Sequence, residues 1–272
     1  MTLRRLGWRI CYELLAKRVR TPDWAFMNYG YAPTPGDADT PPAESIDDPD
    51  RLCIQLYLRA IEGAELTGRD VLEVGSGRGG GAAYLSSHFR PRSMTGLDFS
   101  QEAVELCNRH RRVPGLTFVR GDALSMPFAD GSFDVVVNIE SSHCYEDMNR
   151  FLSEVKRVLR PGGWFHFADL RSAHGADVLR GQLASCGLTV VDVADISLNV
   201  LAALRLDNAR KLRLIEAWIP HIFRRSMRVL AGVEGTMNYR RLASGKWRYL
   251  TSHLMKPYPL GHGLSQASSP LP

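Results

Sequence analysis

Short apolar runs alternate with amphipathic segments along most of this 272-residue chain. Runs rich in β-branched and aromatic residues predict strands, and apolar positions three and four apart predict helices. The predicted strands are 71–74, 93–97, 116–120, 133–137, 164–168, 188–193 and 246–255, with helices at 50–63, 80–88, 101–111, 148–159 and 176–186. This alternation predicts an α/β fold, a doubly wound sheet that binds its ligand at the carboxyl ends of the strands.

The two ends of the chain and one long segment depart from this alternation. Residues 3–19 predict a basic amphipathic helix, which either docks on a membrane surface or packs on its own domain or a partner subunit. Four aromatic residues between 24 and 31 suit either a lid over a flat or cationic ligand or a core anchor. The predicted organisation is an N-terminal lid (1–50), a ligand-binding core (51–195), a helical cap insertion (196–245), a final strand (246–256) and a flexible tail (257–272).

Composition and charge narrow the class of protein. The hydrophobic fraction of 44% and the charged fraction of 23% are ordinary for a globular chain. Five cysteines without a C-x-x-C pair argue against a disulfide framework or a zinc site, so we expect no metal and a reducing, cytoplasmic location. No apolar run approaches the roughly 20 residues that cross a bilayer. The net charge of +5 is too small and too dispersed to indicate nucleic-acid binding, and a homo-oligomer is compatible with the pattern.

A glycine-rich turn after the first strand is the clearest candidate for a ligand site. The apolar run 71–74 predicts a strand buried on both faces. Gly75, Ser76 and Gly77 then let a ligand approach the backbone closely. The helix that begins near Gly80 presents free N–H groups and the positive end of its dipole. Two ligands fit this unit: S-adenosylmethionine held at its carboxylate, or a dinucleotide held at its pyrophosphate.

Acidic residues near the ends of neighbouring strands favour the first of these ligands. Asp98 follows the second strand, where its carboxylate can accept hydrogen bonds from the ribose hydroxyls of either ligand. Asp122 follows the third strand, where it can meet an adenine amino group while the N–H of Ala123 reaches a ring nitrogen. Glu73 before the glycine turn and the Leu-Arg-Pro-Gly-Gly stretch at 159–163 lie outside the dinucleotide pattern. The sequence therefore predicts S-adenosylmethionine as cofactor.

Five motifs occur in order between residues 68 and 169: Glu73-Val-Gly-Ser-Gly-Arg-Gly, Leu97-Asp98-Phe99, Gly121-Asp122-Ala123, Phe133-Asp134-Val135-Val136 and the Leu-Arg-Pro-Gly-Gly stretch. With these motifs the chain resembles the class I S-adenosylmethionine-dependent methyltransferases. The resemblance implies a Rossmann-like seven-stranded sheet in the order 3-2-1-4-5-7-6, with strand 7 antiparallel. The residues expected to bind the cofactor are Tyr29, Glu73, Gly75, Ser76, Gly77, Asp98, Phe99, Gly121, Asp122, Ala123, Asn138 and Glu140.

Further motifs extend the likeness over most of the chain. They are Met27-Asn28-Tyr29-Gly30-Tyr31, the stretch 114–123 and Ser141-Ser142-His143-Cys144-Tyr145. In these motifs the chain is similar to the phthiotriolone and phenolphthiotriolone dimycocerosate methyltransferases and to related fatty-acyl or polyketide O-methyltransferases. This resemblance implies O-methylation of a hydroxyl on a lipid-like or polyketide small molecule, with S-adenosylhomocysteine as the second product.

The loop after the fourth strand carries the candidates for catalysis. His143 lies beside the expected position of the methyl group, and a histidine that titrates near neutrality suits a general base; a pocket histidine is the equal alternative. Glu140 is the second catalytic candidate, as a substrate contact or as a partner of His143. The residues expected to contact the substrate are Tyr31, His143, Tyr145, His166 and Asp169.

Two other functions fit the same residues. The fold also supports C- or N-methylation. A carbon nucleophile would not need a base; it would need aromatic and carboxylate groups that stabilise a cation. A non-catalytic cofactor-binding protein is the alternative from another class.

Overall fold

A computed structural model describes residues 19, 21, 23–35 and 48–259 of the chain. The predicted helix at 3–19, except for its last residue, lies outside the described residues, and so do positions 36–47 and 260–272. The membrane contact expected of that helix and the flexible tail therefore stay predictions. No helix in the described ranges is long and apolar enough to span a membrane.

Strands and helices alternate through the described residues as the sequence predicts. The strands are β1 (Asp70–Val74), β2 (Ser93–Asp98), β3 (Leu116–Arg120), β4 (Phe133–Ile139), β5 (Leu159–Ser172), β6 (Thr189–Asp195) and β7 (Trp247–Met255). The helices up to β6 are α1 (Arg51–Ala60), α2 (Gly80–Phe89), α3 (Gln101–His110), α4 (Met148–Val158) and α5 (Ala173–Ser185). The cap between β6 and β7 consists of α6 (Ser197–Leu206), α7 (Asn208–Trp218), α8 (His221–Leu230) and α9 (Met237–Ala243).

The strands form one mixed sheet in the order β3-β2-β1-β4-β5-β7-β6, which confirms the predicted fold. β1 pairs in parallel with β2 and β4, whereas β7 runs antiparallel between β5 and β6. Val71 packs into a core cluster with α1, α2 and α3, while the next residue, Leu72, packs into a second cluster with α4 and α5. Because both faces of β1 are buried, its sequence is a nearly continuous apolar run.

β5 is longer than predicted, because the expected turn at 159–163 belongs to the strand. Gly162 donates its N–H to the carbonyl of Lys256, and the carbonyl of Gly163 accepts the N–H of Lys256, both at 2.8 Å. Gly162 has a φ of 77°, which glycine adopts at little cost. Pairing with the chain beyond β7 therefore overrides the local turn signal.

The predicted helical cap consists of short helices. Asp207 ends α6 and precedes α7, and Pro220, which cannot donate a backbone N–H, separates α7 from α8. The cap has a small apolar cluster of its own, in which Ile215, Ile219 and Met227 pack together. Met227 and Leu230 of α8 also face the carboxyl ends of the strands, so the cap forms one wall of the site.

Candidate active site

The carboxyl ends of β1, β2, β3 and β4 open into a cavity of ≈ 870 Å³. This volume lies near the upper end of the roughly 300–1,000 Å³ typical of small-molecule sites, so the cavity has room for a cofactor and an acceptor together. Its walls include the glycine turn, the loop 140–145 and α8 of the cap. Residues 24–29 also line it. They belong to an N-terminal segment, residues 23–35, which we call the strap.

The glycine turn leaves open space in front of the backbone. Gly77 has a φ of 52°, and a Cβ added there would meet no atom within 4 Å. The N–H of Gly77 donates to Oδ2 of Asp98 at 2.7 Å, and the N–H of Ser100 donates to Oδ1 at 2.9 Å. These two hydrogen bonds fix the Asp98 carboxylate at the cavity wall. The turn thus has the shape of a cradle that a side chain would fill.

The end of β3 adds a second acidic residue to the same wall. Gly121, Asp122 and Ala123 line the cavity next to Phe99. Oδ1 of Asp122 accepts the N–H of Leu124 at 2.9 Å, which orients the carboxyl group. Two carboxylates and a ring therefore stand at successive strand ends, as the sequence predicts.

Glu140 connects the sheet to the strap. Both of its carboxylate oxygens accept the backbone N–H of Tyr29, each at 3.0 Å, and its own N–H donates to the carbonyl of Ala168 at 2.8 Å. Its φ of 47° is uncommon outside glycine. Burial raises the pKa of Glu140 to about 7. Both Glu140 and Tyr29 line the cavity, and Glu140 holds the strap there.

Arg78 of the glycine motif fastens the other end of the strap. Its guanidinium donates to the carbonyls of Trp24 and Thr21 and lies 5.1 Å from the centroid of the Trp24 ring. The N–H of Gly80 donates to the carbonyl of Ala25 at 3.2 Å. Arg78 is almost fully buried, so the strap covers this side of the cavity.

His143 forms a pair with a buried aspartate on β5. Its Nδ1 lies 2.8 Å from Oδ1 of Asp169, and its backbone N–H donates to Oδ2 at 2.8 Å. The same carboxylate accepts the hydroxyl of Ser142 at 2.6 Å and lies 3.0 Å from Arg171. Burial works against a charged ring, but Asp169 outweighs it and raises the pKa of His143 well above its ordinary value. His143 lines the cavity, whereas Asp169 lies behind it.

A small polar network supports the loop beside His143. Nδ2 of Asn138, which is fully buried, donates to the carbonyl of Val74 at 2.8 Å and to the hydroxyl of Ser141 at 2.7 Å. The hydroxyl of Tyr145 lies 2.9 Å from that of Ser141. A Cβ on Gly75 would come within 2.3 Å of Oγ of Ser141. Gly75 therefore lets this loop close against β1, and Tyr145 reaches the cavity while Asn138 supports it from behind.

Besides Asp169, two further predicted substrate contacts do not reach the cavity. Tyr31 is only 1% exposed in the core, and its N–H donates to the carbonyl of Leu52 at 2.9 Å. His166 packs against His253, with ring centroids 5.0 Å apart, and burial lowers its pKa to about 3. Side chains alternate along a strand, so His166 points away from the face on which Asp169 meets His143.

Glu73 also lies behind the cavity wall rather than on it. It is 1% exposed and accepts the hydroxyl of Tyr57, which does line the cavity. Burial raises the pKa of Glu73 to about 8. Its place is therefore beneath the glycine turn.

The cavity is also lined by residues that the sequence does not anticipate as part of the site, among them Arg78, Arg171, Arg241, Lys246 and Trp247. Arg78 is the charged residue inside the glycine motif, and that position is a signal in the sequence itself. Arg171 lies two residues after Asp169, on the same face of β5. The other three lie where α9 meets β7, and only the topology brings them to the carboxyl edge.

Comparisons with known proteins agree with this geometry. The family model for a methyltransferase domain matches residues 72–167. The chain is 41% identical over 245 residues to the phthiotriol/phenolphthiotriol dimycocerosates methyltransferase of Mycobacterium tuberculosis, covering 89% of each chain. It is 40% identical over 196 residues to the fatty-acid O-methyltransferase of Mycolicibacterium smegmatis, covering 72% of this chain and 71% of that one. The crystal structure of the cyclase SpnF has a similar fold, with a TM-score of 0.68 at 21% identity over 94% of this chain and 96% of that one.

The fold and the relatives define a class I S-adenosylmethionine-dependent methyltransferase. Within that class, the chain belongs to the family of the phthiotriol/phenolphthiotriol dimycocerosates methyltransferases. The choice of S-adenosylmethionine over a dinucleotide is confirmed, and so is the expectation of an enzyme. The described residues contain no group of three or more His, Cys, Asp or Glu that could hold a metal, and the expected lack of a metal stays a prediction.

Proposed function

We propose that this enzyme methylates a hydroxyl oxygen on a lipid-like or polyketide small molecule, with His143 as general base. The observation that carries the proposal is the His143–Asp169 pair, in which the ring faces the cavity and the carboxylate is buried behind it. The names of the relatives support the substrate class, since they act on phthiotriol dimycocerosates and on fatty acids.

The residues around the glycine turn fit S-adenosylmethionine. Asp98 is held where ribose hydroxyls can donate to it, and the open space at Gly77 admits a ligand against the backbone. Asp122 and the N–H of Ala123 suit the adenine edge, and the wall that Tyr29 and Glu140 form suits the methionine end. When bound, the cofactor supplies an electrophilic methyl group on its sulfonium. Phe99, Gly121, Gly75 and Ser76 complete the proposed contacts.

His143 prepares the acceptor for attack. Asp169 engages Nδ1, so Nε2 is the nitrogen that takes the proton of the acceptor hydroxyl as its oxygen accepts the methyl group. Asp169 also stabilises the imidazolium that forms, and Arg171 compensates the charge of Asp169 when the ring is neutral. Tyr145 and Leu170 stand on the same side of the cavity, where they can orient the acceptor.

Replacing His143 tests this role directly. His143→Gln retains a polar side chain but cannot take a proton, so we expect turnover to fall roughly 10²–10⁴-fold. The affinity for S-adenosylhomocysteine, measured by calorimetry, should stay unchanged. The acceptors are a long-chain alcohol, a hydroxy fatty acid and a fatty acid, each assayed with radiolabelled methyl donor.

His174→Gln is the matched control, because His174 is exposed on α5 and does not line the cavity. It should retain full activity. Turnover that is equal in His143→Gln and the wild-type enzyme would contradict the assignment of the base. The predicted cytoplasmic location and oligomeric state are separate from this assay and stay predictions.

A further inference from the structure

Two cationic side chains face the cavity where the cap joins the last strand. Arg241 is in the last turn of α9, and Lys246 directly precedes β7; both line the cavity. The guanidinium of Arg241 lies 5.3 Å from the centroid of the Trp247 ring, which also lines it. Within the described ranges, no carboxylate forms an ion pair with either cation.

The third cation on this side of the cavity is different. Arg171 is paired with Asp169 at 3.0 Å and donates to the hydroxyl of Ser142 at 2.6 Å. Its charge is therefore used to balance the buried carboxylate beside His143. Among the described residues, no carboxylate pairs with Arg241 or Lys246. Apolar side chains such as Met227 line the same cavity. Positive charge beside an apolar wall attracts an anionic group of a ligand.

The sheet register gives the distance of this corner from the catalytic pair. Trp247 pairs with Ser172 of β5, while Asp169, which holds His143, lies three residues earlier on the same strand. At about 3.3 Å per residue, the two positions are roughly 10 Å apart along β5. Two apolar residues, Leu170 of β5 and Met227 of the cap, line the same cavity. A ligand that spans both positions therefore needs an apolar chain.

We propose that Arg241, Lys246 and the ring of Trp247 form a subsite for an anionic group carried by the methyl acceptor. The group is a carboxylate or a phosphate, separated by an apolar chain from the hydroxyl that is methylated. The guanidinium of Arg241 provides paired donors that match either anion, and Lys246 adds a mobile point charge. The inference rests on the proposed function, because it names the chemical class of acceptor for the same cavity: an acidic amphiphile rather than a neutral one.

Binding measurements on the enzyme loaded with S-adenosylhomocysteine test this subsite. The probes are ω-hydroxydodecanoate, ω-hydroxydodecyl phosphate and the neutral dodecanediol of the same length, titrated by calorimetry. We expect at least one anionic probe to bind roughly tenfold or more tightly than the diol at low salt, because a charged hydrogen-bonded pair replaces a neutral contact. The preferred anion tells a carboxylate from a phosphate, and added salt should reduce the preference.

The double variant Arg241→Gln/Lys246→Gln should bind the anionic probes and the diol with similar affinity. Arg240→Gln is the matched control, since Arg240 is an exposed neighbour on the same helix that does not line the cavity. It should keep the preference. Equal binding of acid and diol by the wild-type enzyme, or a preference that persists in the double variant, would overturn the subsite. So would a loss of affinity for S-adenosylhomocysteine in the double variant, because the cations would then serve the cofactor.

Methyl transfer to each probe, measured on the same samples, separates this inference from the proposed function. A charge preference that disappears in the double variant supports the subsite even where no methyl group is transferred. In that case, the absence of transfer counts against O-methylation. Transfer to the acid and the diol with equal binding supports O-methylation and overturns the subsite.

Discussion

Asp169 is the residue whose position changes the interpretation of the site most. The sequence predicts a substrate contact, but Asp169 is fully buried and accepts hydrogen bonds from Ser142 and from the backbone and ring of His143. Its pKa is lowered: burial would raise it, but the charges of His143 and Arg171 outweigh that effect. In the proposed mechanism, Asp169 is therefore a positioning residue that acts through His143.

The pH dependence of turnover follows from this pair. A base must be neutral to take a proton, and the pKa of His143 is raised, so the wild-type kcat should increase with pH through that raised pKa. Asp169→Asn removes the carboxylate that raises the pKa of His143. The rising limb of the profile should then move to lower pH, and the maximal rate should fall. Profiles of kcat from about pH 5.5 to about pH 10, which start about 1 unit below the ordinary histidine pKa and extend well above it, measure both effects.

Asp177→Asn is the control for this profile, because Asp177 is an exposed residue of α5 that pairs only with Arg180 in the described structure. Its profile should match the wild-type profile. Retained affinity for S-adenosylhomocysteine shows that Asp169→Asn is folded. A rising limb that stays in place in a folded Asp169→Asn would contradict the role of the pair.

At the residue scale, the sequence predicts the position of side chains that lie at, or just after, the end of a strand. Asp98 and Asp122 are predictable because the hydrophobic pattern marks where β2 and β3 end, and those ends meet at one edge. His166 and Asp169 could not be placed in this way, because they lie within β5, where successive side chains point to opposite faces of the sheet. Since the two are an odd number of residues apart, they cannot share a face. Only their contacts show which one meets the site.

The β1–α2 turn is the element that defines the proposed cofactor half of the cavity, and two of its glycines serve different purposes. Gly75 makes room for Ser141, whereas Gly77 leaves space for a ligand. Gly68 is a natural control, because it also has a positive φ, of 69°, and open space where a Cβ would stand, yet it lies outside the cavity. At Gly77 and at Gly68, a Gly→Ala change should lower the free energy of unfolding by about 1–2 kcal/mol, because alanine is strained in the left-handed backbone conformation.

Only Gly77→Ala should weaken cofactor binding. Its methyl group would occupy the space in front of the turn, so we expect the affinity for S-adenosylhomocysteine to fall roughly tenfold or more. Gly68→Ala should bind as the wild-type enzyme does, with a similar decrease in Tm. Calorimetry and thermal unfolding of both variants measure the difference. Equal affinities in the two variants would show that the turn does not approach the ligand.

At the element scale, the order of elements and the turn after β1 could be predicted because each follows from local patterns. The extension of β5 could not, because Gly162 and Gly163 pair with Lys256, which is distant in sequence. The division of the cap at Asp207 and Pro220 has a local signal, since a proline interrupts a helix. Which cap residues face the cavity depends on packing that no local pattern contains.

At the scale of the whole molecule, the strap joins the cofactor half of the cavity to the cap. Glu140 holds it at Tyr29, and Arg78 holds it at Trp24 and also donates to Thr21 just before it. These contacts connect residues far apart in the chain, so the sequence predicts an aromatic lid but not its anchors.

Removing the Arg78 anchor should release the adjoining part of the strap without unfolding the sheet. Arg78→Met keeps apolar volume but leaves the carbonyls of Trp24 and Thr21 without this donor. Charged hydrogen bonds of this kind contribute roughly 1.5–3 kcal/mol each, so amides of residues 24–27 should exchange with solvent tenfold faster or more. Amides of β1 and β4 should keep their protection. Hydrogen exchange followed by mass spectrometry measures both.

Arg69→Met is the control for the strap, because Arg69 is exposed before β1 and has no contact with the strap in the described structure. It should leave exchange unchanged throughout. Strap amides that exchange at the wild-type rate in Arg78→Met would contradict the anchoring role. A loss of protection in β1 would show instead that Arg78 stabilises the sheet.

The atom that receives the methyl group tests the central claim most directly. The wild-type enzyme is supplied with S-adenosylmethionine labelled with carbon-13 in its methyl group and with the three acceptors named above. Nuclear magnetic resonance of the products then distinguishes a methyl group on oxygen from one on carbon. The account predicts a methyl group on the oxygen of a hydroxylated acceptor, and a label that strongly decreases in His143→Gln. A methyl group on carbon, or no transfer to any of the three acceptors, would contradict it.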